Sequence, residues 1–195
     1  KLRAVRVVEG GGSCVAFSPD GKTLATGGDS RGIKLWDVGT AKNTATFDND
    51  DEALTLALFV VFSSDGKTLA LAATFCNTAD LRDMASGQFI ATLGEDARLP
   101  VAFSPDGKIL ALGSSKASIN LWDLATRKKI VALEGHDHHW ASSVAFSPDG
   151  KALAYAFKET VSGSSRNDSK RIETIKLWDL ATRKNTLTLN GSVMV

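Results

Sequence analysis

Three stretches gather side chains that could do chemistry. His136-Asp137-His138-His139-Trp140 sets three imidazoles beside a carboxylate, and both groups are good ligands for zinc or nickel. The spacing argues against a metal. Consecutive residues on a short loop point in different directions, whereas familiar ligand pairs sit about two to five residues apart, so no metal and no cofactor is expected. Asp48-Asn49-Asp50-Asp51-Glu52 places four carboxylates in five residues. It is either a docking surface for a basic peptide, steered by rim charge, or a solvated loop that keeps the chain soluble. The stretch Thr160 to Ile172 carries Arg166, Lys170 and Arg171 among serines and glycine and lacks apolar periodicity. It is expected to be a mobile surface loop, either a partner-specific arm or phosphosite or simple surface decoration. Trp140 is either a buried staple or an exposed interface anchor, a role for which tryptophan is enriched.

The elements that position these stretches come from a repeat. The phrase AFSPDGK stands at 16, 102 and 145 and as VFSSDGK at 61; a second phrase reads KLWDV at 34, NLWDL at 120, KLWDL at 176 and, in a divergent copy, DLRDM at 80. Counted from Phe17, Phe62, Phe103 and Phe146, the copies lie 45, 41 and 43 residues apart, a period that signals repeat architecture. In SVAFSPDGKALA two short apolar runs flank a turn where Pro148 presets the backbone and Gly150 takes the left-handed conformation that closes it. Ile33 and Leu35 then lie on one face of a third strand, with Lys34 and Trp36 on the other. A fourth apolar run follows each Trp-Asp phrase: NTATF, FIATL, KIVAL and NTLTL. The unit is therefore four antiparallel strands, a to d, with short polar turns.

A hairpin phrase followed at fixed distance by Trp-Asp, four times over, resembles the WD-repeat β-propeller family, with bacterial-type phrasing. The resemblance covers nearly the whole chain. It implies an all-β fold of four four-stranded antiparallel sheets, or blades, packed face to face at about 13–50, 55–96, 99–136 and 142–191 in a single domain. Residues 2–10 match the outer strand of a preceding blade, and Ser192-Val193-Met194-Val195 looks like the start of another strand a. With the extra N-terminal strand the set does not close, and an open arc, a fragment of a larger propeller, is expected. Two copies combining into one ring, or a small closed propeller, are the alternatives. An open arc leaves a flat apolar blade face bare at each end.

The resemblance also implies a buried network of a His before strand a, a Ser or Thr in strand b, an Asp in the b–c turn and the Trp of strand c. Only fragments of it are present: Thr26, Asp29 and Trp36 with Gly11 at the His place; Leu71, Thr74 and Arg82; Leu112, Ser115 and Trp122; His136 and Trp178 with Tyr155 and Lys158. Cohesion is therefore expected to rest on apolar packing. In this family the d–a and b–c loops share one face. That face would collect Asp48, Asp50, Asp51 and Glu52, then His136, His138, His139 and Trp140, then Arg166, Lys170 and Arg171 as binding residues.

The 195 residues are 43% apolar and 23% charged with net charge +1, which gives no pull toward nucleic acid or an anionic membrane. The longest apolar stretch, Ala53 to Phe62, is too short to span a bilayer. Nucleic-acid binding would want an uncompensated basic stripe with stacking aromatics, but aromatics are 7%. Cys14 and Cys76, without CxxC spacing, read as reduced thiols in a reducing, cytoplasmic compartment. No GxSxG elbow, phosphate-cradling glycine loop or HExxH occurs, and no catalytic residue is expected. The leading reading is a non-catalytic scaffold for protein or peptide partners within a larger protein. A propeller enzyme with a central-channel site is the second, and a self-assembling array, associating through its bare terminal blade faces, is the third.

Overall fold

The structure, a computed structural model, describes residues 14–29, 32–47, 58–73, 77–94, 96–115, 118–134, 140–162 and 169–194. All regular structure among them is strand. β1 (Cys14–Phe17), β2 (Thr23–Asp29), β3 (Gly32–Asp37) and β4 (Asn43–Phe47) form sheet 1, and β5 (Leu58–Phe62), β6 (Thr68–Ala73), β7 (Ala79–Asp83) and β8 (Phe89–Leu93) form sheet 2. β9 (Ala97–Phe103), β10 (Ile109–Ser114), β11 (Ile119–Asp123) and β12 (Lys128–Leu133) form sheet 3. Sheet 4 contains β13 (Trp140–Phe146), β14 (Ala152–Ser162), β15 (Ser169–Asp179) and β16 (Lys184–Met194). Each sheet is an antiparallel meander in chain order. The chain divides into two compact units, Lys1–Gly94 with sheets 1 and 2 and Glu95–Val195 with sheets 3 and 4.

The strand period of two gives each sheet two faces, and the registers align the copies. The forward face of sheet 1 holds Ala25 opposite Leu35, Leu35 opposite Ala45, and Ile33 opposite Phe47. The same places in sheet 3 are Ala111, Leu121, Val131, Ile119 and Leu133, and in sheet 4 Ala154, Leu177, Leu187, Ile175 and Leu189. The back face of sheet 2 holds Val60 opposite Leu71 and Phe62 opposite Leu69. Its counterparts are Val15, Thr26, Phe17 and Leu24 in sheet 1 and Val144, Tyr155, Phe146 and Leu153 in sheet 4.

Within the first unit the forward face of sheet 1 packs on the back face of sheet 2, burying Ala25, Ile33, Leu35, Val60, Leu69 and Leu71 with Phe47, Phe62 and Met84 around them. Within the second, Ala111, Ile119, Leu121 and Leu133 of sheet 3 meet Leu153, Tyr155 and Phe157 of sheet 4. One sheet alone could not cover its faces; removal of this apolar surface from water is what holds each pair together.

Two expectations are corrected in sheet 4. The insertion is not a loop over its described length: β14 and β15 run on through it, pairing Glu159 with Ile172, Thr160 with Arg171, Val161 with Lys170 and Ser162 with Ser169. Ser192 to Met194 does not start a new strand a. It extends β16 along the lengthened β15, with Ile172 opposite Ser192, Arg171 opposite Val193 and Lys170 opposite Met194. The two departures share a cause, because each stretch supplies the backbone partner that the other needs. Residues 2–10, matched to an outer strand from sequence, lie outside the described residues.

Candidate interaction surfaces

The turn phrases fold by local hydrogen bonding. In each a–b turn the serine hydroxyl donates to the aspartate two residues on, Ser18 to Asp20, Ser63 to Asp65, Ser104 to Asp106 and Ser147 to Asp149, each at 2.6 Å. The same oxygens accept the N–H of Thr23, Thr68, Ile109 and Ala152, all at 2.9 Å. Gly21, Gly66, Gly107 and Gly150 close these turns at φ between 69° and 70°, as only glycine does without strain. In each c–d turn the Asp of the Trp-Asp phrase caps the chain three residues on: Asp37 accepts from Thr40, Asp83 from Ser86, Asp123 from Thr126 and Asp179 from Thr182, through both N–H and hydroxyl. The two turns of a sheet are then tied together. Val38, Met84, Leu124 and Leu180 donate N–H to the carbonyls of Lys22, Lys67, Lys108 and Lys151, which is the physical reason the two phrases travel as a pair.

These bonds spend the groups that would otherwise look reactive. Each turn serine donates to an aspartate and accepts from the backbone, so it is a turn lock rather than a nucleophile with an adjacent base. The Ser18, Ser63, Ser104 and Ser147 hydroxyls, followed by lysine N–H donors, hold the carboxyls of Asp20, Asp65, Asp106 and Asp149 below the usual range. Backbone N–H and hydroxyl donors of Ser86 and Thr182 do the same for Asp83 and Asp179, and the Thr126 hydroxyl leads at Asp123. The Cys14 thiol is half-buried and pushed up by that burial, an unreactive setting.

The fragmentary Trp network is realised in sheet 1, where Trp36 Nε1 donates to Thr26 Oγ1 at 3.0 Å. In sheets 3 and 4 the register puts Leu112 and Tyr155 at the place of Thr26, and the buried Nε1 of Trp122 and of Trp178 has no partner. Tyr155 directs its hydroxyl to the Glu134 carbonyl at 3.5 Å instead, and its ring meets Phe157 edge-on at 5.1 Å. Arg82 stands where a Trp is expected in sheet 2; it donates to the Gly87 carbonyl at 3.3 Å and lies 5.9 Å from the Phe47 ring centre.

The first unit carries a groove of about 550 Å³ on its a–b and c–d turn side, walled by Asp20, Asp65, Lys67 and Asp83 over Phe62 and Met84. No residue of this side is among the binding residues expected from sequence. The signal that sequence reasoning missed is spatial: the turn of sheet 1 leans on that of sheet 2, so that a Cβ on Gly66 would lie 3.5 Å from Pro19 Cδ.

Of the binding residues expected from sequence, Asp48, Asp50, Asp51, Glu52, His136, His138, His139 and Arg166 lie outside the described residues, as does Cys76. Trp140 begins β13, where its backbone pairs with Lys158, and Lys170 and Arg171 are placed on β15. Among the described residues no group of three His, Cys, Asp or Glu could hold a metal ion, and no helix is long and apolar enough to cross a membrane.

Two family models match: the WD domain, G-beta repeat, over residues 7–37, and Eukaryotic translation initiation factor eIF2A over residues 73–164. Pre-mRNA-processing factor 19 of Oryza sativa is 26% identical over 188 residues, covering 89% of this chain and 31% of that protein. Transcription factor unc-37 of Caenorhabditis elegans is 29% identical over 134 residues, 68% of this chain and 20% of its own length. The chain thus spans a third or less of these relatives. Among solved structures, Kuenenia stuttgartiensis hydrazine synthase matches in fold with a TM-score of 0.72 at 20% identity, over 100% of this chain and 53% of that one.

Proposed function

Since the chain is a WD-repeat β-propeller protein in its turn phrases, its relatives and its four antiparallel blades, we propose that it is a non-catalytic scaffold binding protein or peptide partners through the loops of one blade edge. The observation that supports this most is the accounting of its reactive groups: serines and aspartates of every described a–b turn are committed to locking that turn. The facing strands contribute packing residues to the blade interiors. This favours loop and rim as the surface that receives a peptide. The 195 residues act as one blade array in a reducing, cytoplasmic setting, with neither nucleic acid nor membrane as partner.

In this reading Asp48, Asp50, Asp51 and Glu52 receive a basic segment, with His136, His138, His139, Trp140, Arg166, Lys170 and Arg171 completing the edge. The groove on the opposite edge favours the same class of partner. Three carboxylates held below their usual range, at Asp20, Asp65 and Asp83, stand over apolar Phe62 and Met84, which suits a cation flanked by an apolar side chain. A fluorescent Lys-rich peptide titrated by anisotropy tests both. Binding that weakens with salt and with Asp50→Lys supports the loop site, and binding that weakens with Asp83→Lys but not Asp50→Lys supports the groove. Indifference to salt and to both changes refutes the acidic docking surface.

A further inference from the structure

The dipeptide Asp-Gly occurs four times, at Asp20-Gly21, Asp65-Gly66, Asp106-Gly107 and Asp149-Gly150, each time in an a–b turn. Chemically it is the pair most prone to modify itself. The amide nitrogen of a glycine, which has no Cβ to obstruct its approach, attacks Cγ of the preceding side chain, and water leaves as a five-membered succinimide closes. Water then adds to one of the two ring carbonyls, giving back aspartate or leaving isoaspartate, in which the main chain runs through the side-chain carbon. Closure needs an amide nitrogen that can give up its proton, a carboxyl protonated so that its oxygen departs as water, and a side chain free to turn toward that nitrogen.

The turns withhold all three. The N–H of Gly21, Gly66, Gly107 and Gly150 donates to the carbonyl of Ser18, Ser63, Ser104 and Ser147 at 2.8 or 2.9 Å, so deprotonating it breaks a hydrogen bond. Oδ1 of each aspartate accepts the serine hydroxyl at 2.6 Å and the N–H of the lysine two residues on at 3.0 or 3.1 Å. Two donors on one oxygen favour the ionised carboxylate and fix its rotation. Burial plays no part, because all four aspartates are exposed and water reaches them. From this we propose that the hydroxyls of Ser18, Ser63, Ser104 and Ser147 protect the Asp-Gly bonds of their turns from isomerising to isoaspartate. Proline is not what protects them: Ser64 stands where the other turns have Pro19, Pro105 and Pro148, yet Ser63 and Asp65 keep the same bonds. The protection bears on the whole blade. An isoaspartate at 149 inserts a main-chain carbon beside Lys151, whose carbonyl accepts the N–H of Leu180, and so unties the a–b turn of sheet 4 from its c–d turn.

The test ages the full chain for weeks at neutral pH and physiological temperature and counts isoaspartate site by site, by peptide mapping with electron-transfer fragmentation. In the folded chain all four bonds are expected to isomerise more than about tenfold more slowly than in guanidinium chloride, because closure has to await local opening of the turn. Ser147→Ala raises the rate at Asp149 by at least about tenfold, the factor that a lost hydrogen bond to a charged group supports, and leaves Asp20, Asp65 and Asp106 of the same molecules unchanged. Ser18→Ala does the same at Asp20 alone. Pro148→Ala, which keeps the hydroxyl, leaves Asp149 at the wild-type rate. Bonds that isomerise as fast folded as unfolded, an Asp149 indifferent to Ser147→Ala, or a rise spread over all four turns overturns the proposal. So does a rise with Pro148→Ala equal to that with Ser147→Ala, which would make backbone stiffness the protection.

Discussion

Replacing Gly87 by alanine isolates one contact between sheets 1 and 2. Gly87 stands four residues after the turn Asp, at φ 71°, and the same place in the other sheets is held by Ala41, Arg127 and Arg183 at φ 58°, 57° and 55°. A side chain is therefore compatible with this turn at a conformational cost of about 1–2 kcal/mol, partly offset by about 0.4–1 kcal/mol from the stiffer unfolded chain. What sets Gly87 apart is Phe47: an added Cβ would lie 2.6 Å from its Cε1 and 3.2 Å from its Cδ1. Favourable carbon contacts begin at about 3.5 Å, so the ring would have to withdraw by nearly 1 Å. It cannot do so freely, since it packs in the core of the unit beneath the Arg82 guanidinium. Overpacking of this kind costs about 1–3 kcal/mol, and a net loss of about 2 kcal/mol lowers the melting midpoint by about 4–8 °C in a chain of this size. Urea titration of Gly87→Ala, Phe47→Leu and the double variant provides the assay. Leucine is the residue at this place in the other sheets, as Leu93, Leu133 and Leu189, and it shortens the group facing Gly87. The expected coupling energy exceeds about 1 kcal/mol, with the alanine costing little in the Phe47→Leu background. Equal losses in both backgrounds, or no loss in either, would refute the reasoning.

Thr26→Val leaves the Trp36 indole N–H as unpartnered as those of Trp122 and Trp178; a loss of about 1–3 kcal/mol by denaturant titration is expected, whereas Tyr155→Phe, which gives up only a 3.5 Å bond, costs less. The chain has one tyrosine, and burial pushes Tyr155 up to about 12 from 10.0. Absorbance at the phenolate band should therefore titrate near 12 in the folded protein and near 10.0 in denaturant, and the stability tied to the neutral phenol, full below 10.0, is lost as pH rises toward 12. The depressed carboxyls of Asp20, Asp65, Asp83, Asp106, Asp123, Asp149 and Asp179 work in the opposite sense: the unfolded chain takes up protons first, near the ordinary 3.8. Their stabilisation is full above that pH and lost as it falls through the lower folded values, so melting midpoints that stay level from neutrality down to about pH 2 would contradict it.

Repetition is what made the blades legible. SPDGK and Trp-Asp recur because each pair of turns is a closed hydrogen-bonded unit, with Ser147, Asp149 and Gly150 shaping one turn, Asp179 and Thr182 the other, and Leu180 N–H joining them. The partial Trp network could be anticipated residue by residue, since Leu112 offers Trp122 no acceptor in any fold that keeps the register. The extension of sheet 4 could not. Nothing in VSGSSRNDSKR alternates, and its described flanks form strand because Val161 and Ser162 pair with Lys170 and Ser169 while Lys170 to Ile172 pair in turn with Ser192 to Met194, twenty and more residues away in sequence; such pairing is decided by tertiary context rather than by local pattern. The turn-side groove was hidden for a similar reason, because Asp20 and Asp83 become neighbours only when two sheets stack.

The same accounting of committed groups bears on the turn serines and aspartates as candidate catalytic residues. A catalytic serine or aspartate needs lone pairs and protons to spare, but in every described copy the a–b turn serine and aspartate are bonded to each other and to the backbone. The polar network is incomplete as well: Leu112 and Tyr155, at the place of Thr26, leave two indole N–H groups unpartnered. The alternation that makes one sheet fit the next runs on to Ile175, Leu177 and Leu189 on the forward face of sheet 4. Ile33 of sheet 1 and Ile119 and Leu133 of sheet 3, at the places of Ile175 and Leu189, are at 0% and are the substance of a blade–blade contact.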